Sequence, residues 1–139
     1  MAEFRLIDSL DAAGLRQLRE LYLYAGWITE SDPAVFLAPL LSGSTVAAGV
    51  FENGKLIGFG RALSDGCSDA YIQDVVVDPA YRGQGIGGKI VRCLETELKK
   101  RGVDWIALVG EPGTENFYSK LGLLRKDGYT LWMLSGDNG

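Results

Sequence analysis

The segment Arg82-Gly83-Gln84-Gly85-Ile86-Gly87-Gly88 constrains this chain more than any other. It follows an apolar run, Val75-Val76-Val77, and opens a stretch in which Ile86, Ile90, Val91, Leu94 and Leu98 recur at helical spacing. A glycine-rich turn between a strand and a helix leaves backbone N–H groups bare. Those donors, with the positive end of the helix dipole, favour a phosphate. Glycine is needed where the backbone takes positive φ or approaches the anion closely. A phosphorylated ligand is therefore the first expectation.

Composition narrows the chemistry around that ligand. The 139 residues suit one domain, 1–139, with a real core. Met1 to Leu10 is too polar for a signal peptide, and no apolar run approaches the ~18 residues of a spanning helix. A cytoplasmic protein with no membrane partner is expected. The 14 basic and 18 acidic residues, net −4, argue against a nucleic-acid partner, which calls for a basic surface. The chain has no histidine, which removes the commonest general base and the commonest metal ligand. The cysteines, Cys67 and Cys93, have neither disulfide nor metal spacing, so no metal is expected. Acid–base work must fall to carboxylates, tyrosine, lysine, cysteine or water.

Along the chain, Phe4 to Ile7 reads as a strand. Ser9 or Asp11 caps a helix running to about Ala25, and a short helix runs from Pro33 to Gly43. Thr45–Phe51 and Lys55–Leu63 are strands joined by Asn53-Gly54, the strongest local hairpin signal. Ala70–Val77 completes a three-strand meander. The helix after the glycine turn ends at Gly102, Val103–Val109 is a strand, and Pro112–Gly122 is a short helix. Leu123–Arg125 and Tyr129–Leu134 pair across Asp127-Gly128, and Gly136–Gly139 frays. The fold class is α+β, with a mixed, mostly antiparallel sheet of about seven strands flanked by about four helices.

The turn itself fits three patterns. Gly83-x-Gly85-x-x-Gly88 matches the dinucleotide fingerprint, with Glu111 as a ribose-binding acid. Gly83-x-x-x-x-Gly88-Lys89 matches a nucleotide P-loop, but Ile90 stands where the magnesium-binding Ser or Thr belongs. Arg82-x-x-Gly85-x-Gly87 matches the pyrophosphate loop of acetyl-CoA-dependent N-acyltransferases. Asp78-Pro79-Ala80-Tyr81 intervenes between strand and turn, and an antiparallel meander precedes it. Both count against a parallel dinucleotide-binding unit. Asp74 stands out separately, because a charged residue inside an apolar strand needs a reason. A cleft-facing general base is one, and a solvent-side ion pair is another.

From Tyr71 to Leu123 above all, the chain resembles the GNAT superfamily of N-acetyltransferases. Val75-Val76-Val77-Asp78-Pro79 is similar to the family's central strand and its exit. Tyr81-Arg82-Gly83-Gln84-Gly85-Ile86-Gly87 is similar to its acetyl-CoA motif, and Asn116-Phe117-Tyr118-Ser119-Lys120-Leu121-Gly122-Leu123 to its C-terminal signature. Tyr24-x-Gly26-Trp27 and Gly60-Arg61-x-x-Ser64-Asp65-Gly66 also resemble a branch of small bacterial and plant-plastid members. Two positions depart: Glu111 replaces the usual Asn, and Leu123 the usual Phe.

The resemblance implies acetyl-CoA as co-substrate and a primary amine as acceptor, joined in a ternary complex. The alternative is a CoA-binding sensor without catalysis. It implies a sheet splayed between the fourth and fifth strands, with pantetheine along the backbone of Val75, Val76 and Val77. It further implies pyrophosphate on Arg82, Gly83, Gln84, Gly85, Ile86, Gly87 and Gly88, and cofactor contacts from Asn116 and Lys120. Tyr118 becomes the acid for the leaving thiolate, and Asp74 the first choice of base. Tyr24, Trp27, Phe36 and Glu111 fall to the acceptor side. The expected partners are a small-molecule or peptide amine and a second copy in a homodimer.

Overall fold

The computed structural model describes residues 2–134, so the terminus expected to fray at Gly136–Gly139 lies outside the described residues. The chain forms two compact units, Met1–Leu108 and Val109–Gly139.

The first unit holds a five-stranded sheet in the order β1-β2-β3-β4-β5. Its strands are β1 (Glu3–Leu6), β2 (Val46–Glu52), β3 (Lys55–Ser64), β4 (Asp69–Val77) and β5 (Trp105–Leu108). The first four pair antiparallel in sequence, and β5 joins β4 in parallel. Asn53 and Gly54 take φ 51° and 80°, the two positive values that a tight β2–β3 hairpin requires.

Helix α1 (Ala12–Ala25) starts at Asp11, whose Oδ1 accepts from Gly14 N–H at 2.8 Å, and stops at Gly26 with φ 80°. The expected Pro33–Gly43 helix divides into a 3-10 turn, Ala34–Phe36, and α2 (Leu37–Ser42). These helices bury Leu18, Leu21, Leu37 and Leu41 against Phe59 and Val76 on one face of the sheet.

Helix α3 (Ile86–Lys100) covers the other face with Ile86, Ile90, Val91, Leu94 and Leu98, all buried. Each such side chain contributes roughly 1.5–3 kcal/mol on leaving water. The helix seats closely because β3 presents Gly58 and Gly60 beneath it. A Cβ on Gly60 would lie 2.6 Å from Ile90 Cγ2.

The β4–β5 ladder runs only from Asp69↔Trp105 to Ile72↔Leu108. Beyond it, β4 continues through Gln73–Val77 with ladder pairing to β3 alone.

The second unit contains α4 (Glu115–Lys120), shorter than the expected Pro112–Gly122. The expected hairpin is corrected: among the described residues Leu123–Arg125 and Tyr129–Leu134 form no strand, so the sheet has five strands rather than seven. Gly128 does take the turn conformation, φ 86°. The flanking residues have strand propensity but no third strand to complete them, and an isolated two-stranded hairpin is marginal in water. Trp132 is 89% exposed and Leu134 102%, so burial adds nothing to hold them in a ladder. No helix among the described residues is long and apolar enough to cross a membrane.

Gly60→Ala tests the close approach. The added methyl meets a β-branched side chain that is itself fully buried. Urea unfolding should show a loss of about 1–3 kcal/mol with an unchanged m-value.

Candidate active site

The glycine turn follows β4 after one 3-10 step. Asp78 Oδ1 accepts from Ala80 N–H at 2.9 Å and starts a 3-10 turn, Pro79–Tyr81. Gly83 and Gly85 then adopt φ 79° and 77°, and a Cβ at either would meet nothing within 4 Å. Glycine removes a cost of roughly 1–2 kcal/mol that a side chain would bring at such φ. Gly85 is the N-cap of α3 and no side chain caps that end. The first helical N–H groups, those of Ile86, Gly87 and Gly88, are therefore left for another acceptor. Open space, uncapped donors and a fifteen-residue helix fit a diphosphate. Gln84 is exposed on the turn. Arg82 holds its guanidinium 5.1 Å from the ring centroid of Tyr24. Tyr24, expected on the acceptor side, therefore meets the turn's own cation.

A bulge in β4 brings a second set of residues together. Arg61 pairs with Gln73 and Phe59 with Val76, so Gly60 alone opposes both Asp74 and Val75. Strict alternation after Gln73 would turn Asp74 toward α3, among Ile90 and Leu94. The extra residue and φ 57° at Asp74 turn its carboxylate toward α1 instead. Asp74 Oδ2 accepts from Tyr22 Oη at 2.7 Å and from Arg61 Nε at 2.7 Å. Arg61 also reaches Gln73 Oε1 at 3.4 Å. The side chains of Arg61 and Asp74 are only 14% and 23% exposed, so this ion pair is less screened than a surface pair. Val75 and Val77 are half-buried and Val76 is core.

Tyr22 is 3% exposed, with Trp27 edge-on at 5.1 Å and Phe59 at 6.1 Å. Burial, then the Asp74 charge, holds its phenol far above the ordinary tyrosine range, so it remains an O–H donor. Trp27 lies just past the α1 cap and is half-buried, whereas Phe36 is 53% exposed at the end of the 3-10 turn.

In the second unit, the Glu111 carbonyl accepts from Thr114 Oγ1 at 2.6 Å, just ahead of α4. Tyr118 packs its ring beside Gly110, where a Cβ would sit 3.6 Å from Cδ2. Burial, with the Glu111 carboxylate adding to it, pushes the Tyr118 phenol up. Asn116 and Lys120 are exposed and four residues apart on α4, hence on one face.

Arg61 escaped the reading of the sequence as a chemical group. The signal was there: a guanidinium inside the buried run of β3 demands a counter-ion, and Asp74 demanded one likewise. The cysteines are not activated. The Asp65 charge raises the exposed Cys67 thiol, and burial raises that of half-buried Cys93.

The Tyr22 phenol gives a pH signature. Its folded pKa lies above the unfolded value, so its stabilisation is complete below about pH 10 and declines as the unfolded chain ionises above that. In urea titrations the native chain should lose about 1.4 kcal/mol more per pH unit above that point than Tyr22→Phe does.

Comparison with known proteins agrees with this geometry. The family model for the acetyltransferase (GNAT) family matches residues 12–123. An uncharacterized N-acetyltransferase, ycf52, of Pyropia yezoensis is 33% identical over 115 residues, which cover 80% of this chain and 65% of that protein. The chain thus spans just under two thirds of the length of that relative. The fold matches SA2161 of meticillin-resistant Staphylococcus aureus, named a probable acetyltransferase, with TM-score 0.80 at 19% identity, covering 98% and 99% of the two chains. It also matches a predicted acetyltransferase with acetyl-CoA from Clostridium acetobutylicum, with TM-score 0.73 at 22% identity, covering 96% and 97%. With motif, fold and family model in agreement, this chain belongs to the GNAT family of acetyltransferases.

Proposed function

We propose that this chain transfers an acetyl group from acetyl-CoA to a primary amine by direct attack in a ternary complex. The observation that carries the reading is the uncapped turn at Gly83–Gly85, one 3-10 turn after a stretch of β4 with one ladder neighbour. The turn suits a diphosphate, and the length of β4 beyond the β5 ladder, Gln73–Val77, suits an amide-bearing arm that adds to a sheet as a strand does. Family membership and the neighbour named with acetyl-CoA support this pairing.

Val75, Val76 and Val77 would hold the arm through backbone. Arg82 through Gly88 would hold the pyrophosphate, with Asn116 and Lys120 as further contacts from α4. An ammonium acceptor first loses a proton to Asp74. The neutral nitrogen then attacks the thioester carbonyl, a C–N bond forms, the C–S bond breaks, and nitrogen sheds its second proton to water, which restores the Tyr118 phenol after its transfer to sulfur while Asp74 returns its own proton to solvent. Tyr118, kept neutral by burial, gives the departing thiolate a proton. The products are an N-acetyl amide and the free thiol. Tyr24, Trp27, Phe36 and Glu111 are assigned to the acceptor, a small-molecule or peptide amine.

Calorimetry should show acetyl-CoA binding that ATP and NAD do not displace. Gly85→Ala, which forces a side chain into φ 77°, should weaken it by about tenfold. ATP binding without acetyl-CoA binding sinks the proposal. With an amine panel and thiol release as the readout, Tyr118→Phe should lower kcat by about 100-fold while acetyl-CoA affinity changes little. Acetyl-CoA binding with no turnover of any amine identifies a sensor instead.

A further inference from the structure

We propose that Tyr22 and Arg61 are positioning residues that aim Asp74, leaving one defined oxygen of its carboxylate to take the proton of the acceptor amine. This rests on the acetyl-transfer reading above and adds to it two residues and one atom.

The backbone supplies the first observation. Asp74 and Asn53 are the two non-glycine residues with positive φ among the described residues. Asn53 sits in a tight hairpin, where such a value is ordinary. Asp74 sits inside a bulged strand, at the kind of position that glycine normally fills. Aspartate holds left-handed backbone better than most residues, yet still at a cost relative to glycine. A side chain kept there is kept for what it does.

The second observation is what the carboxylate meets. Both donors, the Tyr22 hydroxyl and Arg61 Nε, end on the same atom, Oδ2, each at 2.7 Å. They come from different elements, α1 and β3, and so fix the carboxylate from two directions. Neither donor is lost near neutral pH, because guanidinium stays protonated and burial holds the phenol neutral. Both anchoring bonds end on Oδ2, so Oδ1 is the carboxylate oxygen that neither Tyr22 nor Arg61 holds. A base whose second oxygen is anchored cannot rotate away, and its free oxygen keeps a fixed direction. The proton moves from amine nitrogen to Oδ1, and no other bond changes in that step.

The test is a double-mutant cycle on kcat with the amine that gives the best turnover. Tyr22→Phe keeps the ring against Trp27 and Phe59 and removes the hydroxyl alone. It should lower kcat about tenfold or more, with KM for acetyl-CoA within about twofold. Asp74→Asn should lower kcat further. Tyr22→Phe placed on Asp74→Asn should then change kcat by less than about twofold, because Tyr22 acts only through Asp74. Arg61→Gln should show the same non-additivity, and Arg61→Lys should recover part of the loss. Circular dichroism and thermal melts establish that each variant is folded, and Arg61→Gln carries the cycle if Tyr22→Phe does not fold. Full additivity, or wild-type kcat in folded Tyr22→Phe, overturns the positioning role while leaving acetyl transfer standing. A wild-type chain that binds no acetyl-CoA overturns both.

Discussion

Gly60 has no side chain, and two parts of the first unit depend on that. On one face of the sheet Ile90 of α3 occupies the space where a Cβ would be, so the helix lies close on β3. Along the sheet, Gly60 alone faces two residues of β4, and the bulge forms opposite it. The first relation sets where the N-terminus of α3, with its bare N–H groups, comes to lie. The second sets where β4 changes the direction of its side chains. The bare N–H groups at the start of α3 and a carboxylate anchored from two directions thus both lie beside one strand position, Gly60.

The bulge resolves a conflict that regular alternation would create. In an unbroken strand an ionised carboxylate would face the apolar side of α3, where no partner exists for it. One extra residue moves it to the face that carries Tyr22 and Arg61 and leaves Val76 in the α1-side core. The arrangement is costly in backbone conformation and favourable in hydrogen bonding. Both sides of that balance sit on one residue, as is usual where a fold holds a chemical group in a fixed orientation.

Much of this was legible in the sequence, for reasons that differ from residue to residue. The glycine turn announced itself because backbone donors and positive φ need glycine whatever surrounds them. The hairpin at Asn53-Gly54 is equally local. Asp74 was conspicuous because charge in an apolar strand is rare, but its partners are distant in the chain: Tyr22 lies 52 positions away and Arg61 13. No pattern of period 2 or 3.6 reports such a meeting. Tyr24 followed the spacing of a helix face, and that spacing could not say that the ring would face Arg82. The seven-strand expectation failed on the same ground. Strand propensity in Tyr129–Leu134 is real, but a strand is completed by its neighbours and not by its own residues.

The contact between Arg82 and Tyr24 bears on how quickly a charged ligand arrives. A long cationic side chain on an exposed turn ordinarily samples many directions. Resting on an aromatic face, it is held at the mouth of the turn with much of its rotational freedom already spent. An incoming anion then meets a localised field instead of a diffuse one, on a chain whose net charge of −4 would otherwise repel it. On the proposed reading, capture would be a property of one small region working against the rest of the surface. Such a rate would fall with added salt, since screening sets in over a Debye length of about 10 Å at 0.1 M.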